Sequence, residues 1–399
     1  MPEKKIIKKY LLFLLKIIVN RLDTYKCLLD YYLNFKKFKL FILKSGKAIN
    51  HISKKNIAIY HIYTKSIDKD NKQFLDFISK KGFHIIISSA LVLDQKSLKY
   101  LNNSEINYSL FYKNNVGRDI HSYKYFYESL IKINLNFDNI LFCNDSLFFI
   151  EDLSESLSHK LDNFFNNEEK TVASLTINYR SHAHLGSFFV LIKNNHLILE
   201  RLSKFFSNYL PISNREWSIK YGECGISDCL RYPNDFHISV FYPTTSLIKI
   251  KDIKKILLSA HLISIIKKEK SNPLIKKFLS DIYNFNLGDN CKEFSLEEQN
   301  IIKSIYVDNL SQLIPEKFNP THTLALNLCL AGFPFLKKDI NKVYAKFSFT
   351  HIYSTLKACD LKEENIDYII EGLSSKNYIE SYSHKDILYR IKNELLPSF

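Results

Sequence analysis

Short apolar runs and longer polar-apolar stretches alternate through the middle of the chain. The apolar runs are rich in β-branched and aromatic residues and read NIAIYHIY, FHIIISS, INYSLFYK and DNILFCND. Stretches of helical period, such as FLDFISKKG and HSYKYFYESLIKI, lie between them. Strands that alternate with helices predict βαβ units and a mostly parallel sheet. Runs without polar interruptions predict strands that are buried on both faces.

The later part of the chain changes character near residue 250. Before that point the pattern predicts two more strands, VASLTINY and GSFFVLIK, an amphipathic helix, HLILERLSKFFSNYL, and a last strand, ISVFYP. Beyond it the signals are helical, in IKKILLSAHLISIIKK, SLEEQNIIKSIYVDNL, THTLALNLCLAG and NIDYIIEGL. We predict a basic helical arm over 1–51, an α/β domain over 52–250 and a helical C-terminal region over 251–399.

The N-terminal arm combines a basic start with an apolar run. Tyr10 to Leu15 and Ile17 to Val19 are apolar, but Lys16 interrupts them. The run is too short and too charged to span a membrane, and no small-residue cleavage site follows it, which argues against a signal peptide. A basic helix on the inner leaflet of the plasma membrane fits the pattern. A helix packed on the protein's own core fits it equally well.

Composition and charge narrow the class of protein. With 399 residues, the chain is long enough for one large domain or two ordinary ones. The net charge of +15 favours anionic partners, although abundant Lys, Ile, Asn, Phe and Tyr also reflect an AT-biased genome. Seven scattered cysteines without a CxxC pair argue against a disulfide framework and a zinc site. Free thiols indicate a reducing, cytoplasmic compartment.

Two predicted loops carry candidate chemistry, because ligands of open α/β sheets bind beyond the carboxyl ends of the strands. The first, Asn114 to Asp119, follows INYSLFYK. Gly117 allows a close backbone approach or a positive φ, and Arg118 is suited to grip a phosphate. Asp119 is suited to bind ribose hydroxyls, a metal or Arg118 itself. A plain turn with an aspartate helix cap explains the same residues.

The second loop, Asn144-Asp145-Ser146, follows DNILFC. Mg²⁺ and Mn²⁺ prefer oxygen ligands and often take one or two carboxylates together with substrate phosphates. Asp145 is therefore a candidate metal ligand, or a direct ligand of sugar hydroxyls. The alternative is a turn or helix cap, since Asn, Asp and Ser all favour such positions.

Two further segments offer candidates of other kinds. His182 and His184 share one face if their segment is extended, but a structural or acceptor-contact role suits them better than a metal site. In GECGISD, which reads as a glycine-bearing turn that opens a helix, Glu223 is the better candidate for a general base. Ser227 and Asp228 are candidates to cap that helix instead.

Taken in order, these motifs resemble those of the rhamnan synthesis protein F family of bacterial polysaccharide glycosyltransferases. The resemblance covers about residues 55 to 245 and, more loosely, 319 to 337. It is carried by NIAIYHIY, NNVGRDIHSYKYF, DNILFCNDSLFFI, HAHLGSFFVLIKN, GECGISDCL and ISVFYP, while NPTH and GFPFLK resemble a motif pair of some related capsule and O-antigen proteins. It implies a GT-A-like nucleotide-binding sheet and transfer of a sugar from a nucleotide-sugar donor to a growing glycan, which is either lipid-linked or a polysaccharide.

The resemblance also implies roles for single residues. Glu223 would lie near the acceptor, Asp145 would be catalytic, and Ser146 and His184 are further substrate-binding candidates. The usual metal-binding Asp-x-Asp is absent, because position 144 is Asn and position 146 is Ser, so a need for Mg²⁺ or Mn²⁺ stays open. The donor site would be formed by Asn115, Gly117, Arg118, Asp119, Asn144 and Asp145.

Two rival functions stand beside the transferase. In many members of the family this domain is one module of a longer chain, so partner enzymes of polysaccharide assembly are expected, and a non-catalytic scaffold of such an assembly is one alternative. A basic nucleic-acid-binding protein is the other. Nucleic acid is not an expected partner, because the 25 Tyr and 30 Phe alternate within apolar runs as core residues do, and no RNA-binding motif is present.

Overall fold

The chain divides into two units in a computed structural model. The structure describes residues 2–34, 36, 40–114, 116–178, 183–231, 237–243, 319–340 and 349–375. Unit 1 comprises Met1–Asp145 and Ser158–Pro243, and unit 2 comprises Ser146–Leu157 and Thr244–Phe399. The segment Ser146–Leu157 is therefore inserted into the sequence of unit 1 directly after Asp145.

Strands of two to seven residues are distributed over both units. Within the described residues they are β1 (Phe41–Gly46), β2 (Asn56–Ile62), β3 (Phe83–Ser89), β4 (Tyr108–Lys113), β5 (Asn139–Asn144), β6 (Leu147–Phe149), β7 (Val172–Ser174), β8 (Ile177–Asn178), β9 (His184–Leu185), β10 (Phe189–Lys193), β11 (Ile238–Val240) and β12 (Phe335–Lys337). β2, β3 and β5 are short strands rich in apolar residues and are almost wholly buried.

Helices separate most of these strands. In the part of the chain that the structure describes, the α-helices of at least six residues are α1 (Pro2–Leu33), α2 (Lys69–Lys80), α3 (Gln95–Asn103), α4 (Arg118–Lys132), α5 (Ser154–Asn166), α6 (His196–Asn208), α7 (Cys224–Arg231), α8 (Ala325–Leu330), α9 (Phe349–Ala358) and α10 (Glu363–Ser375). A short turn of helix, Arg215–Trp217, and a π-helical segment, Ser218–Glu223, precede α7. None of the described helices is both long and apolar enough to cross a membrane.

Unit 1 is built on an eight-stranded sheet of order β1-β4-β3-β2-β5-β10-β7-β11. β2 pairs in parallel with β3 and with β5, and β3 pairs in parallel with β4. β10 runs antiparallel between β5 and β7, and β11 is parallel to β7. The predicted mixed α/β fold, with a mostly parallel sheet flanked by helices, is confirmed.

The strand order reverses between β2 and β5. The chain passes from β2 outward to β3 and β4, and then returns across β2 to place β5 on its other side. The connections on the two sides of this point leave in opposite directions, which opens a crevice at the carboxyl ends of β2 and β5. We call this the switch-point crevice.

The N-terminal arm is helical as predicted over Pro2–Leu33, but the prediction of helix up to residue 51 was wrong at β1. Phe41–Gly46 pairs antiparallel with β4 at the edge of the sheet, with a bulge between Leu43 and Ser45. Most of its side chains are exposed, so it lacks the buried apolar run by which the other strands were recognised. Gly46 ends it at φ +80°.

Unit 2 joins the inserted segment to the C-terminal part of the chain. β6 pairs antiparallel with β12, with Leu147 opposite Lys337 and Phe149 opposite Phe335. Phe148 and Ile150 pack into one core with apolar residues of α8, α9 and α10. THTLALNLCLAG and NIDYIIEGL are helical as predicted, whereas the helices predicted between 251 and 310 lie outside the described residues.

Candidate functional site

Asp145 lies at the carboxyl end of β5, in the switch-point crevice. Its backbone N–H donates to the carbonyl oxygen of His61 at 3.1 Å. Its Oδ2 accepts from the backbone N–H of Tyr63 at 3.0 Å and from Thr64 Oγ1 at 3.4 Å. The side chain is only 5% exposed. Because a buried carboxylate needs donors, Asp145 ties the end of β5 to the loop after β2.

The Gly117-Arg118 turn opens α4 on the β4 side of the crevice. Both residues have left-handed backbones, with φ +65° and +55°. A Cβ on Gly117 would lie 2.4 Å from the carbonyl oxygen of Pro211, so only glycine fits there. The Gly117 N–H donates to Ser213 Oγ at 3.1 Å, and Arg118 Nε donates to the Ser213 carbonyl at 3.4 Å. A strained non-glycine residue of this kind is a recurrent feature of functional sites.

Lys113 holds this turn in place from within unit 1. It is the last residue of β4, and its Nζ donates to the carbonyl oxygens of Val116, at 3.0 Å, and Arg118. Burial lowers the pKa of Lys113 to about 7, and the Asp119 carboxylate acts in the opposite sense. A buried amine thus fixes two carbonyl oxygens of the loop that leads into α4.

The two loops predicted from the sequence meet through Asp119 and Asn144. Asn144 Nδ2 donates to Asp119 Oδ2 at 2.8 Å, and the Ile120 N–H donates to Asp119 Oδ1 at 3.1 Å. Asp119 lies in the first turn of α4, where Gly117 is the N-cap residue, so it is not the cap itself. Two carboxylates, Asp119 and Asp145, therefore flank the end of β5.

His61, which is buried, and Tyr63, which is half-buried, lie near these carboxylates. Burial and the Asp119 carboxylate raise the pKa of Tyr63 well above its usual value; Asp145 adds to this and Arg118 opposes it. The His61 ring packs edge-on against Tyr63, with centroids 4.4 Å apart. Burial lowers the pKa of His61 well below its usual value, so the ring is neutral at pH 7 and shares a hydrogen bond with Ser122 Oγ at 3.0 Å.

Glu223 lies at the end of the π-helical segment and not in a turn that opens a helix, so that prediction was wrong. The helical path runs on from Glu223 into α7. Ser227 does not cap a helix either, because its buried Oγ accepts from the Leu185 N–H at 2.8 Å. π-Helical turns occur frequently at functional sites.

The π-helical segment approaches α4 closely. A Cβ on Gly222 would lie 2.9 Å from Ile120 Cγ1 and 3.1 Å from the hydroxyl of Tyr209. The carboxylates of Asp119 and Glu223 both act on the buried Tyr123 and Tyr209, whose pKa values burial raises first and these charges raise further. Because Glu223 follows Gly222 directly, the approach of Gly222 to Ile120 places Glu223 near the first turn of α4.

The remaining predicted residues lie elsewhere. Asn115 and His182 are outside the described residues. His184 is buried in β9, next to the Leu185 N–H that binds α7. Ser146 belongs to unit 2, where its Oγ accepts from Lys337 Nζ at 3.1 Å and its carbonyl oxygen accepts from the Lys338 N–H at 3.2 Å.

The donor set restricts the kind of metal that fits. Within the described part of the chain, no group of three or more His, Cys, Asp and Glu side chains is placed to hold an ion. Asp145 and Asp119 offer carboxylate oxygens, which are the ligands that Mg²⁺ and Mn²⁺ prefer. These residues fit an ion that a substrate diphosphate also ligates, and not one held by the protein alone.

No protein-family model matches this chain, and no curated protein matches it. The resemblance to the rhamnan synthesis F family therefore rests on the order and spacing of short motifs. The function has to be argued from the residues of the switch-point crevice.

Several residues of the crevice were missed in the sequence. Lys113, Tyr63, Thr64 and Ser213 carry no motif. Tyr63, Thr64 and Ser213 act through contacts distant in sequence, whereas Lys113 acts on the loop that directly follows it. Tyr63 and Thr64 follow β2 directly, so the rule that ligands bind beyond the carboxyl ends of the strands could have identified them. Lys113 had a weaker signal, a lysine that ends an otherwise apolar strand. Nothing in the local sequence indicated Ser213.

Proposed function

We propose that the protein is a glycosyltransferase that moves a sugar from a nucleotide-sugar donor to a growing bacterial surface polysaccharide. The observation that carries the proposal is the meeting, at the switch point of a mostly parallel sheet, of Asp145, the Asp119–Asn144 pair and the Gly117-Arg118 turn. A GT-A-like identity of the sheet is part of this proposal. So is a site of action at the cytoplasmic side of the plasma membrane.

The Gly117-Arg118 turn provides the features that a diphosphate requires. It stands at the start of the fifteen-residue helix α4, where backbone N–H groups and the helix dipole favour negative charge. Arg118 adds a guanidinium suited to bidentate phosphate binding. Since the diphosphate gains charge as it leaves, donors already fixed in place stabilise the transition state more than the ground state.

Asp145 and Asp119 are placed for the sugar end of the donor. Their carboxylates would accept from sugar or ribose hydroxyls, or share a divalent cation with the diphosphate. Such a cation, when bound, would neutralise part of the leaving group's charge. Asn144 orients Asp119 through its 2.8 Å hydrogen bond, which leaves the pair preorganised.

Transfer requires a base on the acceptor side, and Glu223 is our candidate. The acceptor hydroxyl oxygen forms a bond to the anomeric carbon as the bond from that carbon to the diphosphate oxygen breaks. The diphosphate leaves with the electron pair, and the hydroxyl proton passes to the base. Glu223 directly follows Gly222, which approaches Ile120 in the first turn of α4.

A panel of nucleotide sugars tests the proposal directly. We expect at least one to raise the melting temperature of the full chain and to be hydrolysed slowly to the nucleoside diphosphate. Arg118→Lys, which keeps the charge but loses the planar fork, should weaken donor binding by roughly tenfold. If no nucleotide sugar stabilises the protein or is turned over, the crevice is not a donor site and a scaffold role is favoured.

A further inference from the structure

Over Ile17–Leu33, the helix α1 has two apolar faces, and one of them packs on the rest of unit 1. Tyr31, Cys27 and Leu28 pack against a surface formed by Ile212, Val116, Leu210 and Trp217. Asn214 Nδ2 donates to Asp23 Oδ2 at 2.5 Å on the same side. This face fastens α1 to the loops that carry Gly117 and Ser213.

The other face is an exposed apolar stripe. We call it the outer stripe; it consists of Leu15, Ile18, Leu22, Tyr25, Leu29 and Tyr32. The spacing of three and four residues keeps these side chains on one side of an α-helix. At about 100° per residue, the stripe is centred roughly 150° from the face that packs on unit 1. Leu22 and Leu29 are 63% and 60% exposed.

Charges are sorted around the outer stripe. Arg21 lies about 60° from its centre on one side and Lys26 about 80° on the other, and both are exposed. The acidic residues Asp23 and Asp30 lie farther away, more than about 100° from its centre; Asp23 is half-buried and Asp30 is exposed. The sequence of α1 begins with a further cluster of lysines at positions 4, 5, 8 and 9.

We propose that the outer stripe of α1 binds the surface of an anionic lipid bilayer. An apolar helix face flanked by cations is the pattern of helices that lie in the membrane interface. Cations near the stripe gain from anionic headgroups, whereas acidic residues there would be repelled. The orientation follows from the docked face: the loops that carry Gly117 and Ser213 are held on the side of α1 that faces away from the lipid.

A second copy of the chain fits the outer stripe less well. The stripe has the heptad spacing of a coiled coil, in which flanking residues of opposite charge stabilise pairing. Here the flanking residues Arg21 and Lys26 are both cationic, so two such helices would repel each other along the seam. The charge pattern therefore favours the membrane.

Vesicle flotation of the full chain tests this assignment. Vesicles of about 30% phosphatidylglycerol in phosphatidylcholine should float the protein, less so in 0.5 M salt and much less with phosphatidylcholine alone. The double variant Leu22→Gln, Leu29→Gln should lower the fraction that floats by at least about tenfold in partition coefficient. Both positions are exposed, so its melting temperature should match that of the wild type.

The matched control removes two apolar side chains from elsewhere on the surface. Val92 and Leu197 are 71% and 50% exposed, and Val92→Gln, Leu197→Gln should float like the wild type. The assignment is overturned if the α1 variant floats as well as the wild type, or if neutral vesicles bind equally well. It is also overturned if sedimentation shows a dimer that the α1 variant dissociates, since the stripe is then a subunit interface.

Discussion

At the scale of single residues, Asp145 combines burial with a role at the crevice. Its carboxylate accepts from Tyr63 and Thr64, so it both shapes the loop after β2 and presents charge at the end of β5. A residue with both roles can fail in two ways when it is replaced, by loss of the loop or by loss of the charge. Asparagine separates them, because it retains an accepting oxygen and most of the shape.

We expect Asp145→Asn to fold and to lose sugar transfer by orders of magnitude. Loss of a charge-assisted hydrogen bond typically costs about 1.5–3 kcal/mol, which bounds the loss of stability. The assay is transfer by wild type and variant, each with chelator and with added Mn²⁺ or Mg²⁺. If a metal is bound, chelator abolishes wild-type transfer and added metal does not rescue the variant. Near-normal transfer by the variant in both conditions would rule out the site.

A second prediction at this scale concerns the loss of stability when Gly117 is replaced by alanine, with Gly82 as the control. Both have left-handed backbones, at φ +65° and +85°. A Cβ at Gly117 meets the Pro211 carbonyl at 2.4 Å, whereas a Cβ at Gly82 has no neighbour closer than 3.8 Å. Gly82→Ala should therefore cost only the left-handed penalty of about 1–2 kcal/mol. Gly117→Ala should cost clearly more in urea unfolding; equal costs would show that the close approach is relieved without strain.

Lys113 predicts a pH dependence of stability. Its pKa is about 7 in the folded protein against 10.5 for the free side chain, because burial disfavours the charge. Between these values the unfolded chain binds more protons, so stability rises with pH, by up to about 1.4 kcal/mol per pH unit, and is flat below about pH 7. Lys113→Met should remove this rise and also lower stability, since two carbonyls lose their donor.

The measurement is the free energy of unfolding of wild type and variant between pH 6 and 10. Lys132 lies on the exposed surface of α4, and Lys132→Met should leave the rise unchanged. If the free energy of unfolding of Lys113→Met still rises with pH as much as that of the wild type, other titratable groups cause the rise.

At the scale of elements, the sequence predicted those strands that a single continuous run of residues encodes. β2, β3, β4 and β5 were predicted, because each is a buried apolar run bounded by polar residues. Edge strand β1 was missed because its side chains face water, and the π-helical segment because its period differs from an ordinary helix by one residue per hydrogen bond. Contacts such as Lys113 with Arg118 depend on backbone conformation, which the residue types leave open.

Because its docked residues lie after residue 22, we expect two truncations of α1 to differ in their effect on stability and transfer. Removing residues 1–22 takes away part of the outer stripe but leaves Asp23, Cys27, Leu28 and Tyr31 in place, so transfer to a soluble acceptor should be retained. Removing residues 1–33 uncovers Ile212 and Val116 and should destabilise unit 1 by about 3 kcal/mol or more.

Melting temperature and donor affinity, measured side by side, decide between the two outcomes. The longer truncation should weaken donor binding as well, because the loops that carry Gly117 and Ser213 lose their support. If both truncations behave alike, the contacts of Tyr31 with Ile212 do not support the crevice.

At the scale of the whole molecule, the two units are interleaved in sequence. The chain leaves unit 1 at Asp145, contributes Ser146–Leu157 to unit 2 and returns. β6 therefore depends on β12 from the far end of the chain for its pairing, and Phe148 depends on α8, α9 and α10 for its burial. The units cannot be separated by one cut.

We expect a chain ending at Pro243 to aggregate, because it retains β6 without its partner strand. An apolar strand with an unpaired edge is a template for association. Phe148→Ser with Phe149→Ser in the same truncated chain should restore soluble protein, and in the full chain the two substitutions should destabilise unit 2. Soluble yield and size-exclusion elution are the readouts. A soluble, monomeric 1–243 chain would show that β6 is protected within unit 1.

The pairing of β6 with β12 also has a consequence during biosynthesis. Phe149 leaves the ribosome about 190 residues before Phe335, and at about 5–20 residues per second the interval is roughly 10–40 s. Every strand of the large sheet is translated within that interval or before it, so the sheet of unit 1 can form while β6 still lacks its partner strand. During that interval Phe148 and Phe149 lack the partners that bury them, so we expect the yield in a cell to depend on translation speed and on chaperones that bind such segments.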